Sequence, residues 1–225
     1  MILYIANKNY SSWSLRPWVL MRELDIPFQE NLAPFGGETA FETFSPSGKV
    51  PCLMDGETVV WDSLAIVEYL AEDFPGVWPV AKQARAWARC AAAEMHSGLT
   101  GLRMTCPMNC GVRVRIESSP EALVSDLDRL DALWNDGFSK FGGPFLAGPD
   151  FTAVDAFFAP VAFRIQTYDI ELSERSLQYV DRLLALPAMQ EWYFAALEEV
   201  WRDESHDEEI LQSGVLLADL RRSAD

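Results

Sequence analysis

The chain has 225 residues, 49% of them apolar and 23% charged, enough for one large or two small globular units with a real core. Its 34 acidic and 18 basic residues leave a formal charge of −16, which repels nucleic acid and anionic membrane and argues against either as a partner. No run of about 18 apolar residues predicts a membrane span, MILYIANKNY lacks the pattern of a secretory leader, and four scattered cysteines make no disulfide framework. The expectation is a soluble, cytoplasmic protein with free thiols.

ILYIAN is rich in strand formers and opens the chain. From Trp13 the apolar positions Trp13, Leu20, Met21 and Leu24 follow helical spacing. Pro17 is tolerated only in the first turn of a helix, so this one should begin near Ser12 to Ser14, with Ser11 and Ser12 at its mouth. DIPFQENLAPF predicts a second strand, parallel to the first because a helix joins them. A polar stretch with weak helical signals follows. CLM and TVVW then flank Asp55-Gly56-Glu57, a hairpin signal. A helix starts at once, with Asp62 or Ser63 to cap it and Leu64, Val67, Leu70 and Ala71 on its apolar face. The predicted order is strand, helix, strand, helix, strand, strand, helix, and the character of the chain changes at DFPGVWP, residues 73–79.

Beyond that point the pattern is almost wholly helical. In SSPEALVSDLDRLDALWNDGFSKFGGP, Ser119 is placed to cap and Pro120 to open a helix striped by Leu123, Leu127, Leu130, Trp134 and Phe138, which Gly142 and Gly143 end. FTAVDAFFAPVAFRIQTY is apolar nearly all round, which predicts a buried helix bent at Pro160, and Thr152 and Asp155 have capping-box spacing. Two more helices are expected at about residues 173–185 and 188–201, and the acidic tail from Arg202 reads as a solvated surface segment. Cys106 and Cys110 sit four apart, but no second cysteine pair exists and His96 and His206 are distant, so no metal site is expected.

No glycine-rich nucleotide loop, phosphate loop or HExxH zinc motif is present. What remains is the serine cluster, the GKVP turn and the WDS helix start, all in the mixed first part. A helix N-terminus presents unsatisfied N–H groups and partial positive charge, so an anion there is stabilised, and a serine hydroxyl adds a directed donor. If the anion is a ligand thiolate, lowering its pKa from about 8.5 to about 6.5 requires about 2.7 kcal/mol. One hydrogen bond to a charged group supplies roughly 1.5–3 kcal/mol. The thiolate fraction near pH 7.5 would rise from about a tenth to about nine tenths. Plain capping is the competing role for Ser11 and Ser12, and for Asp62 and Ser63. A cis Val50–Pro51 bond would turn the Val50 backbone toward a peptide-like ligand. Two of only four lysines, Lys8 and Lys49, lie in these loops, where an acidic protein that binds a small anion needs local cations.

Taken together, NYSSWSLRPW, SPSGKVPCLMDGETVVWDSLAIVEYLAEDFP and FLAGPDFTAVDAFFAPV resemble a cytosolic glutathione S-transferase over nearly the whole chain. The resemblance implies an α/β thioredoxin-like domain at residues 1–77 that binds glutathione, and an all-α domain at 84–225 that contributes the electrophile site, usually in a homodimer. SSWS.R is similar to the SSC..R signature of the zeta class. By that match Ser11 activates the glutathione sulfur with Ser12 beside it. Lys49 and Val50 contact the glycyl carboxylate and the cysteinyl backbone, Pro51 is the cis-proline, and Asp62 and Ser63 hold the γ-glutamyl end. Thr152 and Asp155 fall on the family's folding box. Trp13 replaces the signature cysteine, and two extra residues separate the first strand from the serines. Both departures weigh against the zeta-class isomerisation of maleylacetoacetate and leave thiolate activation intact. Tyr10 is a competing thiolate donor, and Cys52 reads as buried packing. Met95, Arg103 and Met104 are candidates for the electrophile site, with core or helix surface as their alternative. The implied activity is transfer of glutathione, as co-substrate and without metal, to a small electrophile. A glutathione-dependent cis–trans isomerase and a non-catalytic glutathione-binding module are the alternatives.

Overall fold

The computed structural model describes residues 1–223. Strand β1 (Ile2–Ile5) lies inside a four-stranded sheet of order β2-β1-β3-β4. It pairs in parallel with β2 (Gln29–Leu32), reached through helix α1 (Ser12–Glu23), and antiparallel with β3 (Cys52–Asp55). β3 turns through Gly56 and Glu57 into β4 (Thr58–Trp61), and Gly56 takes a φ of +58°, the left-handed conformation a two-residue hairpin favours. Leu3 and Ile5 are fully buried in the central strand, Leu3 opposite Leu53. α1 carries buried Trp18, Val19, Leu20 and Met21 and packs along two helices of the helical part, Ala153–Tyr168 and Pro187–Glu198, so the first helix is also the floor between the two halves.

The helix expected between the second and third strands does not form. Pro34, Gly36, Gly37, Pro46 and Gly48 break that stretch, leaving a 3-10 turn at Phe41–Thr43 held by Phe35, Phe41 and Phe44 packed on one another. α2 (Ser63–Asp73) begins as predicted, its first turn capped by Asp62 Oδ1, which accepts from Leu64 N at 2.8 Å.

The helical part comprises α3 (Lys82–Ser97), α4 (Thr100–Thr105), α5 (Glu121–Phe141), α6 (Ala153–Tyr168), α7 (Glu174–Leu184), α8 (Pro187–Glu198) and α9 (Glu204–Ser213). α6 is the centre: every residue but Gln166 is buried, and the Thr152–Asp155 capping box is formed. Asp155 also accepts from Leu146 N at 3.1 Å and from the Tyr179 hydroxyl at 2.8 Å, tying the start of α6 to the preceding turn and to α7. Two expectations need correction. Pro120, not Ser119, holds the cap position of α5, and it supplies no side-chain bond. The tail from Arg202 lies at the surface as expected, with only Ile210 buried among its described residues, but it is regular structure: α9 followed by β6 (Gly214–Asp219), which pairs antiparallel with β5 (Val112–Ile116), so the helical part also carries a two-stranded sheet. Asp203 caps α9 by accepting from His206 N at 3.1 Å. No helix among the described residues is long and apolar enough to cross a membrane.

Candidate functional site

The residues between β1 and α1 are buried from Ala6 to Ser12. Ser11 stands at the cap position of α1, yet its hydroxyl makes no capping bond. It donates instead to Ser14 Oγ at 2.7 Å, and Ser14 Oγ accepts from Ala6 N at 3.3 Å. Ser12 is the first residue of the helix. Both serines line a cavity of about 560 Å3 bounded by Trp13, Lys49 and Val50 on one side and Arg103, Met104, Arg164, His206 and Glu209 on the other. A second cavity of about 410 Å3 shares Trp13, Lys49 and Val50 and continues to Pro51, Asp62 and Ser63. One composite cleft therefore gathers Ser11, Ser12, Lys49, Val50, Pro51, Asp62, Ser63, Arg103 and Met104 from sequence positions far apart. The Val50–Pro51 peptide is cis.

The cleft is cationic inside an acidic molecule. Arg16, the arginine of the SSWS.R stretch, is 1% exposed. Its guanidinium lies 3.4 Å from Ser63 Oγ and 3.5 Å from His96 Nδ1, and stacks over Trp13 at 4.1 Å. It meets no carboxylate within ion-pair distance among the described residues, and its Nε has no hydrogen-bond partner there. Burial, with the charges of Arg103 and Arg164 nearby, pushes its pKa down to about 9. Arg103 lies over the same Trp13 ring at 4.6 Å. The Trp13 indole thus collects two guanidinium groups by cation–π attraction, the role it fills where the signature has cysteine. Arg164 on α6 reaches the cavity wall with Nε donating to the Cys106 carbonyl at 2.8 Å, and burial pushes it down to about 10. His96 bridges the set, its Nε2 3.6 Å from Asp62; burial lowers its pKa, Asp62 opposes, and Arg16 and Arg103 add to the lowering. Asp62 caps α2 and borders the cleft at once, so its two proposed roles do not compete.

Several expected participants lie elsewhere or are engaged. Met95 is fully buried in the core and does not line the cleft, because α3 turns that face toward the other helices. Lys8 does not supply an accessible cation: its ammonium pairs with Glu30 and packs against Trp18 and Trp192. Tyr10 borders the cavity, but its hydroxyl donates to Asp207 Oδ1 at 3.0 Å and accepts from Arg221 at 3.0 Å, and burial together with Asp207 pushes its pKa up to about 12. Cys52 is buried and its thiol donates to the Phe44 carbonyl at 3.4 Å; burial raises its pKa. Among the described residues no group of three or more His, Cys, Asp or Glu side chains is gathered to hold a metal. His206 and Glu209, on a helix read as solvated tail, were missed, as were Trp13 and Arg164 on the cavity wall and Arg16 and His96 behind it. Of these, only Trp13 and Arg16 lie in the SSWS.R stretch, the one sequence signal that could have found them.

Residues 10–73 match the model of the glutathione S-transferase N-terminal domain, and residues 114–195 that of the C-terminal domain. The chain belongs to the glutathione S-transferase family. Among its relatives, maleylacetoacetate isomerase of Rattus norvegicus is 26% identical over 84% of this chain and 90% of its own. Glutathione S-transferase GstB of Escherichia coli K12 is 27% identical over 85% of this chain and 91% of its own. Solved structures agree in fold. A Burkholderia glutathione transferase homolog with bound glutathione superposes with a TM-score of 0.66 at 22% identity, covering 87% of this chain and 97% of its own. Human glutathione S-transferase T1-1 reaches 0.65 at 22% identity, covering 94% and 96%. The mixed sheet with its helices, followed by the helical part, is thus the fold of the family.

Proposed function

We propose that this chain is a glutathione transferase that holds glutathione along the composite cleft and ionises its thiol beside Ser11. In this reading Asp62 faces the γ-glutamyl ammonium, Ser63 its carboxylate, Val50 the cysteinyl backbone next to Pro51, and Lys49 the glycyl carboxylate. Arg16 is the second partner of the γ-glutamyl carboxylate, which supplies the anion that the buried guanidinium lacks. The observation that carries the reading is Ser11: its hydroxyl makes no capping bond, at the positive end of α1, on the wall of the first cavity beside Trp13, Lys49 and Val50, which the two cavities share. Tyr10 gives its one proton to the Asp207 carboxylate, whereas Ser11 gives its own to the neutral Ser14 hydroxyl, a weaker acceptor that a thiolate displaces more readily, which favours the serine over the tyrosine as donor.

Chemically, the thiol proton leaves to solvent and the hydroxyl and helix end stabilise the sulfur anion. The thiolate electron pair then forms the C–S bond to the acceptor carbon, and a leaving group departs with its own electron pair. Arg103, Met104 and Arg164 line the part of the cleft left for that acceptor. A second reading is supported by the maleylacetoacetate isomerases among the relatives. There the same thiolate adds to a cis double bond, the adduct rotates, and expulsion of glutathione leaves the trans product. Product analysis separates them, because only the isomerase returns glutathione unchanged.

The test is a titration of bound glutathione by the ultraviolet absorbance of its thiolate. Ser11→Ala is expected to return the pKa toward the free-thiol value near 8.5, a loss of about tenfold in thiolate near pH 7.5. An unmoved titration in Ser11→Ala with a moved one in Ser12→Ala reassigns the donor to Ser12; no movement in either removes serine activation.

A further inference from the structure

The connection that ends in Ser11 is buried, which is unusual for a loop, and a buried loop must find partners for its backbone groups. Within the connection, Tyr10 N and Ser11 N both donate to the Asn7 carbonyl, at 3.2 and 2.9 Å, and Ser12 N to the Tyr10 carbonyl at 2.9 Å. The step Lys8–Asn9 has no such internal solution. Its amides are met from the far end of the chain: Glu199, at the C-terminal cap of α8, accepts from Lys8 N at 2.6 Å through Oε1 and from Asn9 N at 3.3 Å through Oε2. The Asn9 side-chain amide donates to the same Oε2 at 3.3 Å and to the Ala196 carbonyl at 2.5 Å. The Lys8 carbonyl accepts from the Trp192 indole at 2.9 Å. Glu199 is 5% exposed, so its carboxylate has exchanged hydration for these donors and for the nearby charge of Lys8.

A buried carboxylate held by consecutive backbone N–H groups is a rigid fastening, because removing either side leaves a polar group without a partner. It sits three residues before Ser11, and nothing between them is exposed to solvent. We propose that Glu199 is a positioning residue for thiol activation: it clamps the Lys8–Asn9 step from the helical half and so fixes where the Ser11 hydroxyl and the N-terminus of α1 stand. Glu199 touches no substrate. It acts through the loop, and it accounts for how a connection two residues longer than the family signature keeps its serines in register with the cleft. The proposal rests on the reading that the loop's hydroxyl stabilises the sulfur anion.

The experiment compares wild type, Glu199→Gln, Ser11→Ala and the double variant, each as the full chain with glutathione. In Glu199→Gln one accepting oxygen becomes a donor while size is kept. The bound thiol pKa should rise by about one unit, so that kcat/KM falls about fivefold to tenfold near pH 6.5 and converges on wild type near pH 9, where the thiol ionises unaided. The double variant should show little beyond Ser11→Ala alone. Lys8 and Asn9 amides should exchange with solvent faster in Glu199→Gln. A folded Glu199→Gln with the wild-type thiol pKa, or a rate loss equal at all pH values, overturns the proposal. If Glu199→Gln does not fold, Trp192→Phe keeps a smaller aromatic ring there and removes the donor to the Lys8 carbonyl; a smaller shift in the same direction is expected, and an unmoved titration there overturns the proposal equally. A shift in Glu199→Gln with none in Ser11→Ala would leave the clamp standing and remove the serine, whereas the reverse pattern would remove the clamp alone.

Discussion

A buried guanidinium without a carboxylate partner is costly, and Arg16 is kept in that condition by the Trp13 face, Ser63 and His96. Such a group reveals its purpose when it is replaced by a neutral side chain of similar length. If Arg16 only braced the interface between α1 and the helical half, Arg16→Met would lower the melting temperature and leave ligand affinity alone. If it waits for the γ-glutamyl carboxylate, the unliganded protein should melt at the same temperature or higher, since a buried charge has been removed. Glutathione should then bind about tenfold or more weakly, because a charge-assisted contact is lost. Calorimetric titration together with a thermal melt checks both halves, and an unchanged dissociation constant would return Arg16 to a purely architectural role. At this scale the sequence was readable where a residue's local chemistry decides its place. Pro17 placed the mouth of α1, hence Ser11, to within a turn, although it stands at the sixth residue inside the helix and not in its first turn as expected, and Asp62 declared itself as a cap. Arg16 and His96 were not readable in the same way, because what makes them unusual is packing against Phe157 of α6, a contact distant in sequence, and the buried helix expected around Arg164 gave no sign that its guanidinium reaches the cleft.

Helix α9 and strand β6 show how an element escapes a pattern-based reading. RDESHDEE is acidic and Ile210 is the single buried residue of α9, so the apolar periodicity that reveals α5 is absent. β6 carries exposed Leu216 and Leu217 and owes its form to pairing with β5, a contact about a hundred residues distant. By contrast α6 was legible because it is apolar on all sides, and the β3–β4 hairpin because Asp55-Gly56-Glu57 is turn chemistry. The tail is fastened by charge. Arg221 pairs with Asp207 at 2.6 Å and with Asp219 at 2.7 Å, while Asp203 meets both His206 and Ser205. Burial works to raise the Asp203 and Asp219 carboxyls, but bonds from Ser205 and His206 in the one case, and from Arg221 in the other, hold both below the usual carboxylate value of 3.8. A depressed folded-state pKa means that these pairs contribute stability above the unfolded value and lose it as pH falls through the folded one. Below about pH 4, therefore, α9 and β6 should loosen, and the cleft wall formed by His206 and Glu209 should loosen with them. Amide shifts of α9 followed by NMR against pH should show this step in wild type, and it should vanish in an Asp203→Asn, Asp219→Asn double variant. The same step in that variant would assign it to other carboxylates.

Across the whole molecule a formal charge of −16 surrounds a cleft lined by Lys49, Arg103 and Arg164, with Arg16 buried behind Ser63. Two electrostatic effects of opposite sign are therefore present, and salt separates them. The long-range term is self-repulsion among 34 carboxylates, which destabilises the compact state and repels anionic glutathione on approach. Screening acts over about 10 Å at 0.1 M salt, so raising sodium chloride from low to moderate concentration should raise the melting temperature by a few degrees. The local term is the attraction between Lys49 and a ligand carboxylate. Lys49 is exposed, so the same salt weakens it, and affinity for glutathione should fall about twofold to fivefold. Arg16 is shielded from solvent and should keep its share of the binding. Lys49→Gln is accordingly expected to bind glutathione less well at low salt and to approach wild type at high salt, with the rise in melting temperature unaffected. Measuring both quantities across one salt series decides the matter: if Lys49→Gln retains the full salt dependence of affinity, the salt-sensitive contact lies elsewhere in the cleft and Lys49 does not hold the glycyl carboxylate.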